Sequence, residues 1–284
     1  MQFGICAVFI IVIGILINNL TINLIRTGLG FDFNWLFKPA SFALAEHPLP
    51  YKPSDSYAWA LFIGWLNSLK VIVLSLILAT CIGTLIAFLR IGKNLLLGLI
   101  AAGYITIIRQ TPLLLQLMFW YFVGFLGLKE DIFIISNQGI KLLDLNLSPE
   151  FLALILGLSI FTSAYIAEVI RGGILSVPTG QWEAFRSLGI SERKGLISII
   201  IPQAVPAILP GLTSQYLNLA KNSTLAIAVG YSDIYAINDT IINQTGRAIE
   251  CFIILLTSFL LLNLLISNSM ELINKVIIKS RKYN

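Results

Sequence analysis

Charge is scarce in this chain. Asp, Glu, Lys and Arg make up 12% of its 284 residues, against 57% hydrophobic residues. An average soluble domain carries about 25% charged residues. With a mean hydropathy of +0.88, the composition points to a polytopic membrane protein. Histidine occurs once, as His47 in a Pro-rich stretch, with no second ligand nearby. That argues against a metal site and against a Ser-His-Asp arrangement. Cys6, Cys81 and Cys251 lie singly in apolar runs. No pair has metal-ligand or redox spacing, so they read as small packing residues. No G-x-x-x-x-G-K-[ST] run is present. The chain therefore cannot cradle nucleotide phosphates in the P-loop manner, and ATP, if used, must be bound by a partner. The net charge of +5 is not gathered into a basic arm or an aromatic-interleaved patch, which argues against nucleic acid. Glu168 is the only acidic residue well inside an apolar run. The intramembrane carboxylate series expected of an ion-coupled carrier is thin.

What is present is long apolar runs. The first covers residues 3–20. It lacks the basic n-region and the small-residue cleavage site of a signal peptide, and Asn18 and Asn19 sit at its end. It reads as a retained helix. Residues 21–58 form a connection containing Pro and Gly. Further runs cover 59–89, 95–128, 151–174, 197–229 and 249–275. The 95–128 run would be ~51 Å long as one helix, against a hydrocarbon core of ~30 Å. A break is expected near Pro112, or part of the run lies at the interface, with the crossing part at about 105–127. The expected fold is all-α: a membrane helical bundle of about six spans, with a first helix and loop at 1–58 and a five-helix core at 59–284. No external loop is long enough to form a separate soluble domain.

Orientation follows from lysine and arginine in the short loops. Arg90, Lys93, Arg171, Arg186, Arg193, Lys194, Lys275, Lys279, Arg281 and Lys282 fall on the side of residues 183–202. Arg26, Lys38, Lys52, Lys129, Lys141 and Arg247 fall on the other. Ten against six places the 183–202 side in the cytoplasm, and six spans then place both termini there.

Polar residues inside apolar runs are costly and usually face a bundle interior or a water-filled cavity. Lys70 and Arg109 can snorkel to an interface, and for Lys70 that is the preferred reading. Glu168 and Arg171 stand at i, i+3 and can pair along one helix. Lys221-Asn222-Ser223-Thr224 occupy almost every azimuth of a helical turn, so rotating the helix cannot hide them all. They form either an interhelical hydrogen-bond cluster or the lining of a translocation path. The candidates for the path are Glu168, Lys221, Asn222 and Thr224.

The polar interruption at 183–202, EAFRSLGISERKGLISIIIP, reads as helix, glycine turn, helix. Gly189 can take positive φ at the end of the first helix, and Ser191 can cap the second. Its pattern resembles the cytoplasmic loop of importer-type ABC permeases: Glu183-Ala184-Phe185, then Gly189, then Ile199-x-Ile201-Pro202. Phe185 stands where that family has a second Ala, and Ile201 where it has Leu. Residues 109–116 (RQTPLLLQ), 164–174 (AYIAEVIRGGI) and 221–225 (KNSTL) are similar to segments of the polar amino-acid permeases. Residues 51–69 look more narrowly like general L-amino-acid permease subunits.

The resemblance implies a non-enzymatic transmembrane subunit of an ATP-driven, binding-protein-dependent amino-acid importer in the bacterial inner membrane. Its implied partners are a second permease subunit, identical or different, two cytoplasmic ATPase subunits and a periplasmic amino-acid-binding protein. ATP and Mg would sit on the ATPase subunits, with no cofactor in this chain. The loop at 178–202 would couple to the ATPase through Glu183, Ala184, Phe185, Arg186 and Gly189. Trp182, Phe185 and Leu188 recur at i, i+3, i+6, and either fill a groove on the ATPase or pack on this chain's own helix ends. The competing reading is a secondary amino-acid carrier driven by an ion gradient.

Overall fold

The computed structural model describes residues 2–27, 31–126, 135–136, 139–142 and 145–282. Its elements, in order, begin with α1 (Gln2–Thr27) and a 3-10 turn at Asn34–Phe37. Then come α2 (Tyr57–Ile91), α3 (Leu95–Gln110) and α4 (Leu113–Phe119), which runs into a π turn at Trp120–Phe125. Three short antiparallel strands follow, β1 (Ile135–Ser136), β2 (Gly139–Leu142) and β3 (Leu145–Leu147), with Ile140 opposite both Ile135 and Leu147. The rest is helical: α5 (Pro149–Leu175), α6 (Thr179–Ser187), α7 (Glu192–Gly195), α8 (Ile201–Asn222), α9 (Ile234–Thr245) and α10 (Ala248–Lys282). Apart from the small sheet, the described chain has the all-α character expected of it.

Four helical stretches are long and apolar enough to cross a membrane: 57–91, 149–175, 192–229 and 248–277. The α3–α4 pair raises the number to five if it counts as one span. The pair is bent by 104° at its break, and the cause is Pro112, which removes a helical N–H donor and clashes with the preceding turn. Buried Gln116 replaces that donor. Its amide Nε2 donates to the carbonyls of Ile108 at 2.9 Å and Thr111 at 3.0 Å. In α1 the apolar stretch is shorter, residues 8–23.

α5 is the central helix. In its most apolar window 67% of residues are buried within the chain, against 17% for α10, which leaves α10 a peripheral helix. Ser148 caps α5 by accepting from the Phe151 N–H at 3.1 Å, and Pro149 occupies its first turn, where no N–H is missed. α5 meets α2 at Gly83, where a Cβ would lie 2.8 Å from the Ser163 carbonyl. Small residues at such crossings let helices approach closely in lipid.

Residues 31–56 also fold onto the bundle. Trp35, Ala40 and Tyr51 share a buried apolar cluster with Ile63 of α2, Ile237 of α9 and Cys251 of α10. Asn67 ties this segment to the turn before α9, because its Nδ2 donates to the Glu46 carbonyl at 2.9 Å and the Ser232 carbonyl at 2.8 Å. Lys70 does not simply snorkel, since its ammonium sits 3.9 Å from the centroid of the Phe151 ring.

α9 has no counterpart among the sequence expectations. Asp233 starts it, its Oδ1 accepting from the Ala236 N–H at 2.8 Å, while Oδ2 is buried with no hydrogen-bond partner among the described residues. Burial pushes this carboxyl up to about 7, the backbone N–H groups pulling it only part of the way back. The folded state therefore holds the proton more tightly than the unfolded chain. Asp233 stabilises the fold fully at acidic pH, below its ordinary carboxylate range, and that contribution is lost as pH rises through about 7. Asp233→Asn keeps the cap acceptor and removes the charge. The wild type is expected to lose thermal stability between about pH 5 and about pH 8 relative to this variant. Parallel pH dependences of the melting temperature would refute the assignment.

Candidate functional site

The expected site residues fall mainly in two places: a knuckle at one end of the bundle and a cleft between α5 and α8. The knuckle is α6 and α7 with the turn between them. At the end of α6, Gly189 has φ +69°, a left-handed conformation that glycine adopts without penalty. Ile190 N–H donates to the Phe185 carbonyl and Gly189 N–H to the Arg186 carbonyl, both at 3.0 Å. This paired 6→1 and 5→2 closure is the Schellman motif, which satisfies carbonyls left free at a helix end. The expected helix, glycine turn, helix is what forms. Ser191 occupies the cap position of α7 but makes no side-chain cap hydrogen bond.

Phe185 does not face outward. It is 1% exposed, and its ring lies against Gly195 so closely that any Cβ there would collide with it. The ring is the filling of the joint between α6 and α7. Leu188 is 76% exposed, and half-buried Trp182 lies beside Phe185, the ring centroids 6.0 Å apart. The three apolar residues thus divide: Phe185 packs inward, Leu188 points out, and Trp182 lies between. Glu183, Ala184 and Arg186 are exposed. Arg186 reaches Glu192 at 3.1 Å, and Lys93 from the α2–α3 connection reaches the same carboxylate at 3.0 Å. Both pairs stand in water and orient the knuckle more than they stabilise it. Past α7 the helix widens into a π turn at Leu196–Ile200. That turn accommodates Pro202, which has no N–H for an ordinary helical bond.

The cleft has a volume of about 350 Å³ and is lined by Phe161, Thr162 and Tyr165 of α5 and by Gln215, Asn218, Lys221 and Asn222 of α8. Of the four expected path residues, Lys221 and Asn222 line it. Thr224 does not, because the chain tightens into a 3-10 turn at Ser223–Val229 and its hydroxyl donates to the Lys221 carbonyl at 2.8 Å. Ser223 does likewise, donating to the Ala220 carbonyl at 2.8 Å. The run that could not be hidden by rotation is resolved in two ways: two side chains face the cleft and two bond their own backbone. Glu168 is not among the lining residues. It is held by Arg171 in a two-point pair at 3.1 and 2.8 Å, the expected i, i+3 partner. The Arg109 guanidinium lies 5.0 Å from the centroid of Tyr165.

Sequence reasoning passed over Thr162, Tyr165, Gln215 and Asn218. A signal was available: 215, 218 and 222 follow i, i+3, i+7, a polar stripe along one face of α8.

Among the described residues, no group of His, Cys, Asp and Glu has the arrangement of a metal site. A multi-pass helical bundle with a packed polar knuckle at one end and a polar cleft between α5 and α8 is the architecture of a membrane transport subunit. Residues 79–279 match the family described as binding-protein-dependent transport system inner membrane component, and the chain belongs to that family. It is 32% identical to YhdX of Escherichia coli (strain K12), named as an amino-acid ABC transporter permease, over 96% of this chain and 92% of that one. It is 31% identical to the general L-amino acid transport system permease protein AapQ of Rhizobium johnstonii, over 90% of this chain and 86% of the relative. Among solved structures, the crystal structure of an amino acid ABC transporter with histidines superposes with a TM-score of 0.64. It is 32% identical, covering 77% of this chain and 94% of that one.

Proposed function

We propose that this chain is the transmembrane subunit of an ATP-driven amino-acid importer. The amino-acid substrate is supported by the names of the relatives YhdX and AapQ. The observation that carries the mechanism is the knuckle, a two-helix joint packed around Phe185 with Glu183, Ala184 and Leu188 exposed on its surface. In this reading the knuckle lies in the cytoplasm and docks on an ATPase subunit that holds ATP and Mg. Both termini are cytoplasmic. α1 supplies a sixth span, residues 1–58 form the first helix with its periplasmic loop, and 59–284 form the five-helix core. A second permease subunit, identical or different, completes the path. A periplasmic binding protein delivers the amino acid.

The cleft lined by Lys221 and Asn222 is the path. Glu168 acts behind it, through its pair with Arg171, and Thr224 shapes the 3-10 turn that aims Lys221. ATP-driven closure of the ATPase pair would push the knuckles, and the bundle would switch between two arrangements.

The test is uptake by the reconstituted complex in liposomes. Uptake that requires internal ATP and is unaffected by a protonophore supports the proposal. Uptake without ATP that collapses with a protonophore would instead establish the ion-driven carrier.

A further inference from the structure

We infer that the α5–α8 cleft sorts amino acids by side-chain charge, admitting neutral and acidic ones and rejecting cationic ones. The inference rests on the reading of that cleft as the substrate path. What carries it is the balance of spent and unspent polar groups around one cavity.

The amides of Gln215, Asn218 and Asn222 face the cleft. Among the described residues, these amides make no hydrogen bond within the chain, and the Lys221 ammonium makes no ion pair. Neighbouring hydroxyls are spent on the helix itself: Thr213 on the Leu209 carbonyl at 2.9 Å, Ser214 on the Pro210 carbonyl at 3.2 Å and Ser223 on the Ala220 carbonyl at 2.8 Å. Unused polar groups inside a membrane bundle are costly unless water or a ligand meets them. A cleft of about 350 Å³ has room for a small polar molecule.

Among the described lining residues, the one formal charge is positive, that of Lys221. Glu168, one turn along α5 from Tyr165, is the nearby acid, and Arg171 grips both of its oxygens. The Arg109 guanidinium stands over the ring of Tyr165, 5.0 Å from its centroid. Among the described residues, no uncompensated carboxylate lines the cleft to offset a second cation. A zwitterionic amino acid would place its α-carboxylate on Lys221 and its α-ammonium against the amide oxygens. A neutral side chain is then met by amides, and an acidic one shares the field of Lys221. A cationic side chain brings a second positive charge to Lys221, with no carboxylate among the described lining residues to offset it.

The test uses the assembled complex in lipid nanodiscs without its binding protein, so that delivery cannot impose its own selection. Thermal stabilisation is measured with millimolar L-glutamine, L-glutamate and L-arginine. For the wild type, half-maximal stabilisation by arginine is expected to need roughly tenfold or more the concentration needed for glutamate or glutamine. Lys221→Glu should reverse the order of glutamate and arginine. Lys221→Met should bring the two together, and it keeps the test available if the charge reversal prevents assembly. Equal stabilisation of the wild type by all three overturns the inference and leaves the path in place. An unchanged ranking in the assembled Lys221 variants overturns it as well. No stabilisation by any of them, in a complex that still imports, overturns both the path and the inference.

Discussion

Gly189→Asp is expected to abolish uptake while ATP hydrolysis by the assembled complex continues. The backbone at 189 is left-handed, and an L-residue pays roughly 1–2 kcal/mol to sit there, with Asn and Asp among the least penalised. A Cβ at this position meets nothing within 4 Å, so sterics inside the chain are not the obstacle. The expected damage comes from a new negative charge on the outer surface of the knuckle, beside exposed Leu188. Gly189→Asn separates the causes, since it has the same shape and backbone tolerance without the charge. The asparagine variant should retain most of its uptake and the aspartate variant almost none. If both lose uptake equally, the turn geometry itself is the sensitive quantity. If both import normally, the knuckle is not a docking surface.

Gly195→Ala should destabilise the chain, although intrinsic helix propensity favours it. Gly195 has ordinary helical angles, φ −58° and ψ −44°. There, alanine is preferred over glycine by about 0.5–1 kcal/mol. The Phe185 ring occupies the space its methyl group needs. Overpacking of this kind costs about 1–3 kcal/mol, which outweighs the propensity gain. Phe185→Ala alone leaves a cavity in the joint and should cost about 3–5 kcal/mol. In that background the same Gly195→Ala change becomes favourable, because it fills the cavity and stiffens the helix. Apparent melting temperatures of the four proteins read this sign reversal directly. Additive effects would mean that ring and glycine do not act as one joint.

The knuckle was legible in the sequence because its logic is local. Gly189, the spacing to Pro202 and the helix propensity around them specify a turn without help from the rest of the chain. The break at Pro112 was legible for the same reason, since a missing N–H is a property of the residue. Its repair by Gln116 was not, because that bond depends on how α4 folds back after the bend. The inward turn of Phe185 was also hidden. Spacing placed Trp182, Phe185 and Leu188 on one helical face, and only the position of Gly195 decides which of them is covered. The cleft was half legible. A run of four polar residues announced itself, whereas Gln215 and Asn218 were diluted by the apolar residues between them. Thr224 lies outside the cleft because the chain tightens there to a 3-10 turn whose hydroxyls bond backwards, where an α-helical azimuth would have kept it with Lys221 and Asn222. Short α9 escaped because its start depends on Asp233 being buried against the bundle.

The central claim is that the exposed face of α6 is where the ATPase acts on this chain. A photo-crosslinking side chain placed at Ala184 or Leu188, in the assembled and ATP-hydrolysing complex, should capture the ATPase subunit. The same group at exposed Lys52, in the loop before α2, should capture no ATPase. An ATPase adduct at Lys52, or none at Ala184 and Leu188 in an active complex, would contradict the account.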